Sequence, residues 1–81
     1  MKIYNVNGRC NVSGPRVRAL REKAGLSQEQ LAAKIQLQGL SMIQKAISRI
    51  ETGDRVVADY ELEYLARALG VTVNYLLGIK E

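Results

Sequence analysis

Glycine cuts this chain into short pieces, and each piece carries the signature of a helix. Gly25, Gly39, Gly53, Gly70 and Gly78 follow stretches whose apolar residues recur three and four positions apart, the spacing of a single buried stripe. Glycine stops such a segment because it enters the left-handed conformation without a steric penalty. The first helix is expected from about Pro15 to Ala24, with Ser13 as its cap, proline in its first turn, and Val17, Leu20 and Ala24 inward. A capping box, Ser27 to Gln30, opens a second helix over about Gln28 to Leu37 that buries Leu31, Ala32 and Ile35. Leu26 and Leu31 flank that box as a hydrophobic staple. Leu40-Ser41-Met42 then leads into a third helix, about Ile43 to Thr52, whose stripe is Ile43, Ile47 and Ile50. A fourth helix follows Asp59 as N-cap and buries Leu62, Leu65, Ala66 and Leu69, with Tyr60 and Tyr64 covering the core. Thr72 caps a last short helix through Tyr75, Leu76 and Leu77. Residues 1–12 show no sustained period and read as an arm or a short strand. The expected fold is therefore all-α: a compact five-helix bundle over residues 13–78 with a short N-terminal arm.

Composition narrows the function. With 81 residues, 47% of them apolar, one core can form but a deep catalytic cleft has little room. No run of about 18 apolar residues is present, and residues 1–6 lack the apolar stretch of a secretory signal, so a soluble, cytoplasmic protein with no membrane partner is expected. One cysteine, Cys10, and no histidine argue against an internal disulfide and a zinc site. No cofactor, metal or small-molecule substrate is evident. Enzymatic chemistry also lacks its parts: Glu61 and Glu63 fall on different helix faces, and no base accompanies Cys10. The charge is uneven. Residues 1–50 hold nine Lys/Arg against two Glu, a net +7, whereas residues 51–81 hold three against six acids, a net −3. Such asymmetry suits a domain with one side facing an anion.

Three blocks of sequence then stand in a telling order. Leu26-Ser27-Gln28-Glu29-Gln30-Leu31-Ala32, Ile47-Ser48-Arg49-Ile50-Glu51-Thr52-Gly53 and Leu65-Ala66-Arg67-Ala68-Leu69-Gly70-Val71 together resemble the phage repressor/Cro (Xre-type) helix-turn-helix family over about residues 13–78. The resemblance implies a lambda-repressor-like bundle whose second and third helices form the motif, the third entering the major groove of duplex DNA. One departure stands out. Between Ile35 and Ile47 the usual short turn is lengthened by about five residues, around Gln36 to Leu40, which is expected to continue the second helix for an extra turn and to shift the third.

With Ile43, Ile47 and Ile50 inward, Gln44, Lys45, Ser48 and Arg49 share the outward surface of the third helix. Glutamine pairs bidentately with adenine, lysine and arginine reach guanine N7 and O6, and serine is short enough for base or backbone. By resemblance Gln44, Lys45 and Arg49 match the family's base-reading positions. The resemblance also assigns Gln28 to a phosphate at the second helix's N-terminus, with a bond to Gln44. Arg55, Arg16 and Arg18 are further phosphate candidates. Arg21 and Glu51 match a family ion pair between the first and third helices. A homodimer on DNA is expected, through Tyr75, Leu76, Leu77 and Ile79. The whole reading is a sequence-specific transcriptional regulator, a repressor rather than an enzyme. Its rival is a protein-interaction adapter that keeps the fold without binding DNA.

Overall fold

The computed structural model describes residues 5–80. Five helices follow one another: α1 Gly14–Lys23, α2 Gln28–Leu37, α3 Gln44–Thr52, α4 Asp59–Leu69 and α5 Val73–Leu77. Among the described residues the only β-type pairing is a single bridge, Val6 with Arg9, across the turn at Asn7 and Gly8. The described part of the arm, from residue 5, therefore holds one tight turn rather than a strand. Residues 1–4 of that arm lie outside the described residues.

The helices meet over one core. Val17 of α1, Leu31 and Ile35 of α2, Ile47 and Ile50 of α3, Leu65 of α4 and Leu76 of α5 have no exposed surface. Truncating any of the large aliphatic members to alanine should cost about 2–5 kcal/mol, the range for a residue whose cavity cannot collapse. The expected stripes hold with local exceptions. Ala24 is exposed, Leu20, Leu62 and Leu69 are only partly buried, and Ala68 is buried instead. Tyr64 packs against the core, but Tyr60 is exposed.

Two helix starts differ from expectation, for physical reasons. Ser13 occupies the cap position of α1 with helical backbone angles, and in that conformation its side chain makes no capping bond. Asn11 takes over, its Oδ1 accepting from the Gly14 N–H at 2.8 Å. The cap of α4 is Ala58, one residue before Asp59. Alanine has no side-chain acceptor to offer, so Glu61 at the third helical position closes the turn by accepting from the Ala58 N–H at 2.9 Å, and Asp59 Oδ1 accepts from the Tyr60 N–H at 2.6 Å. The capping box of α2 forms in full: Ser27 Oγ accepts from the Gln30 N–H at 3.0 Å and Gln30 Oε1 from the Ser27 N–H at 2.8 Å. Thr72 caps α5 through the Tyr75 N–H at 3.1 Å.

The connection between α2 and α3 sets the entry of α3. No further turn is added to α2 beyond Leu37, because Gly39 adopts a φ of +103°. The remaining residues form an ordered link in which the Gln36 side chain donates to the Met42 carbonyl at 2.9 Å. Met42 is buried at 2% exposure, while Ile43 is the extended cap residue of α3 and 60% exposed. This corrects the expected stripe. Successive side chains in extended backbone point to opposite sides, so the inward place given to Ile43 falls to Met42.

Candidate nucleic-acid interface

A nine-residue helix divides its side chains by geometry. Ile47, Ile50 and Glu51 of α3 are buried, and the positions between them face outward. Gln44, Lys45 and Arg49 are exposed and Ser48 is partly exposed. These four lie at spacings of one, three and four, which on a helix make one continuous face.

Behind this face runs a connected polar chain. Arg21 of α1 holds Glu51 bidentately, Nε to Oε2 at 2.6 Å and Nη2 to Oε1 at 3.0 Å. Its third donor, Nη1, reaches the Leu26 carbonyl at 2.7 Å. The side chains of Arg21 and Glu51 are only 12% and 3% exposed. The Arg21 pKa is raised above the ordinary arginine value, chiefly by the hydrogen bonds to Glu51. Gln28 Nε2 donates to Glu51 Oε1 at 3.1 Å, and Gln44 Nε2 donates to Gln28 Oε1 at 2.6 Å.

The order of donors and acceptors in this chain is dictated from its buried end. An ionised carboxylate can only accept, so Gln28 must turn its amide nitrogen to Glu51. Its oxygen then faces Gln44, which must answer with a nitrogen. Gln44 is left with a free Oε1 acceptor and one free N–H, the pair that adenine's N6 amino and N7 groups complement. The structure thus brings together Arg21, Glu51, Gln28 and Gln44 along one side of α3, from its first residue to its last but one.

The C-terminal end of α3 is held by the arm, which sequence reasoning missed. Asn11 Nδ2 donates to the carbonyls of Ile50 at 3.0 Å and Arg55 at 2.7 Å. Arg9 donates to Thr52 O at 3.2 Å and to Glu51 O at 3.1 Å, and the Cys10 N–H to Gly53 O at 2.8 Å. These carbonyls belong to or adjoin the last turn of α3, where helical partners run out. A cation there also suits the negative end of the helix dipole. Gly14 permits the approach, since a Cβ at that position would collide with the Ile50 carbonyl.

The remaining predicted residues lie elsewhere. Arg55 is turned to the protein: Nη1 and Nη2 each sit 2.8 Å from an oxygen of Glu61, and Nη1 also reaches Val56 O at 2.9 Å. The same contact holds the Glu61 carboxyl below its usual pKa, with help from the Ala58 N–H. A phosphate would have to displace this pair to use Arg55. Arg16 lies against Gly78 at the end of α5. Arg18 pairs loosely with Glu22 at 3.4 Å, both side chains more than half exposed, a contact worth little. In α5, Leu76 is fully buried and therefore unavailable to a partner, which corrects its place in the expected dimer surface. Tyr75 and Ile79 are about half exposed and Leu77 is partly buried. No helix is long and apolar enough to cross a membrane, and no cluster of metal-ligating side chains occurs, among the described residues.

Two consecutive helices, α2 and α3, packed on each other with one polar face outward, define a helix-turn-helix protein. The sequence pattern of the helix-turn-helix domain family matches residues 14–75, and the chain belongs to that family. Comparison with curated proteins found no match.

Proposed function

We propose that this protein is a sequence-specific regulator of transcription, a repressor of the phage repressor/Cro (Xre) type, that reads the major groove of duplex DNA with α3. The observation that carries this reading is the outward face of Gln44, Lys45, Ser48 and Arg49 set on a helix whose opposite side is fully buried. Gln44 reads adenine, in the orientation imposed through Gln28. Lys45 and Arg49 take guanine acceptors, and Ser48 a base edge or the backbone between them. Ile43, 60% exposed just ahead of Gln44, supplies an apolar contact for a thymine methyl group. Phosphate contacts come from the start of α2, where the capping box leaves the N–H groups of Gln28 and Glu29 open, and from Arg18 once it releases Glu22. Two copies bind together on half-sites about one helical turn apart.

Selection of duplexes from a random pool, followed by binding of the selected site and a scrambled control, tests the reading. A recurring half-site containing adenine and guanine, with affinity falling steeply as salt rises, is the expected result. The adapter reading would instead give no enrichment and no salt-dependent duplex binding at any concentration that saturates a comparable repressor.

A further inference from the structure

Arg55 follows the reading helix closely, yet the fold keeps its side chain occupied. The Arg55 carbonyl shares the Asn11 amide with the Ile50 carbonyl, and the preceding Asp54 N–H donates to the Arg49 carbonyl at 2.9 Å. Its main chain is thereby tied to the last turn of α3. The nine residues of α3 rise about 13 Å, against a major groove about 12 Å wide. A chain that leaves the far end of such a helix meets the phosphates bordering the groove.

The guanidinium is nevertheless turned back. Nη1 and Nη2 each take one oxygen of Glu61 at 2.8 Å, and Nη1 also donates to Val56 O. Two parallel charged bonds fix direction as well as distance. The Glu61 side chain is 9% exposed and that of Arg55 32%, so the carboxylate is the anchored member and the cation the one within reach of solvent. The Ala58 N–H holds Glu61 in place independently of Arg55. The exposed pair of Arg18 with Glu22, at 3.4 Å, is looser by comparison and opens readily to a phosphate.

We infer that Glu61 limits the affinity of this protein for DNA by withholding Arg55 from the phosphate backbone, in the free protein and in the complex alike. The inference rests on α3 reading duplex DNA. Moving Arg55 to a phosphate would strand a nearly buried carboxylate, so the pair persists on DNA. The complex then lacks one sequence-independent contact. Binding leans correspondingly more on the side chains that read bases.

The test titrates the full chain and three variants, Glu61→Gln, Glu61→Gln with Arg55→Ala, and Glu63→Gln, onto the selected and scrambled duplexes over a range of salt. Circular dichroism checks that each variant stays helical. Glu61→Gln keeps an acceptor for the Ala58 N–H and frees Arg55. Its log–log salt slope should steepen by about 0.9, one further phosphate, so its gain over the parent should be about 3.5-fold larger at about 50 mM than at about 200 mM salt. Both duplexes should gain alike. The double variant is as neutral at these two positions as the parent pair and should return to the parental slope. Glu63→Gln removes the same unit charge from an exposed position of α4 and should leave the slope unaltered, which separates release of Arg55 from a change in net charge. A second readout needs no variant: the Glu61 carboxylate carbon resonance of the parent should keep its shift when the selected duplex saturates the protein. An unaltered slope in Glu61→Gln, a steepening that survives Arg55→Ala, or a displaced Glu61 resonance on DNA would each overturn the inference while leaving the DNA reading intact. A parent protein that binds neither duplex overturns both.

Discussion

Gln28 and Gln44 work as a pair because an amide can be turned either way and only its neighbours decide. Here the decision descends from Glu51. Gln28→Ala should leave the fold intact yet release the Gln44 amide, so that preference for adenine at one base position weakens by about 1–3 kcal/mol, read as the ratio of affinities for the selected site and its single-base variant. Gln44→Ala should erase the same preference without additivity. If the two changes add independently, the relay is not functional. Arg21→Ala is a harsher change, since it strands the nearly buried Glu51 carboxylate. A loss of about 3–5 kcal/mol in urea unfolding is expected, and the Arg21→Ala, Glu51→Ala double mutant should recover part of it. Only the residue types of this chain were legible beforehand. The face of Gln44, Lys45, Ser48 and Arg49 followed from helical period, whereas the contact of Arg21 with Glu51 spans 30 positions and entered the reading through family resemblance rather than through any local pattern.

At the scale of elements, the helices themselves were written plainly, because glycine stops and cap chemistry are local. The α2 boundaries agree at both ends with those read from caps and stops, where a capping box and Gly39 both act, whereas the extra turn expected from the lengthened connection is not added beyond Leu37. Long-range substitutions of role were not legible. Asn11 looked like one polar residue in an unpatterned arm, yet it starts α1 and closes α3. Asn11→Ala leaves the Gly14 N–H and the Ile50 carbonyl unanswered and should destabilise by about 1–3 kcal/mol, with faster hydrogen exchange confined first to the last turn of α3 and the first of α1. The start of α4 gives a pH signature. Glu61 has its pKa lowered in the folded protein by Arg55, so its stabilisation is present above the unfolded carboxylate pKa and fades as pH falls through the folded value. Unfolding midpoints should therefore drop as pH falls below the unfolded carboxylate range. Glu61→Gln, which keeps an acceptor for the Ala58 N–H, should start less stable at neutral pH and show a flatter acid limb.

For the whole molecule, the proposed reading requires one small domain to discriminate among many sites. Two copies are the proposed answer, and burial of Leu76 reduces the surface for such contact to Tyr75, Ile79 and the open edge of Leu77. Ile79→Asp should leave the monomer folded and lower affinity for a palindromic duplex more than for a single half-site, as judged by sedimentation of the complexes. A stable one-to-one complex on the palindrome, unchanged by that substitution, would exclude this surface. The charge division visible in the sequence says nothing about which residues are free: Arg55 counts as one of the three cations of residues 51–81 but is paired with Glu61 in the fold.

The hydrogen-bond chain from Glu51 to Gln44 also constrains how such a protein could acquire a new operator. A replacement at position 44 inherits an oxygen acceptor from Gln28 that it must either answer or leave dry. Side chains with a donor within reach are accessible in one mutational step, and acidic ones are opposed by the existing carboxylate. Drift in operator preference should therefore proceed by paired changes at positions 28 and 44, or begin at Lys45 and Arg49, which no such partner constrains.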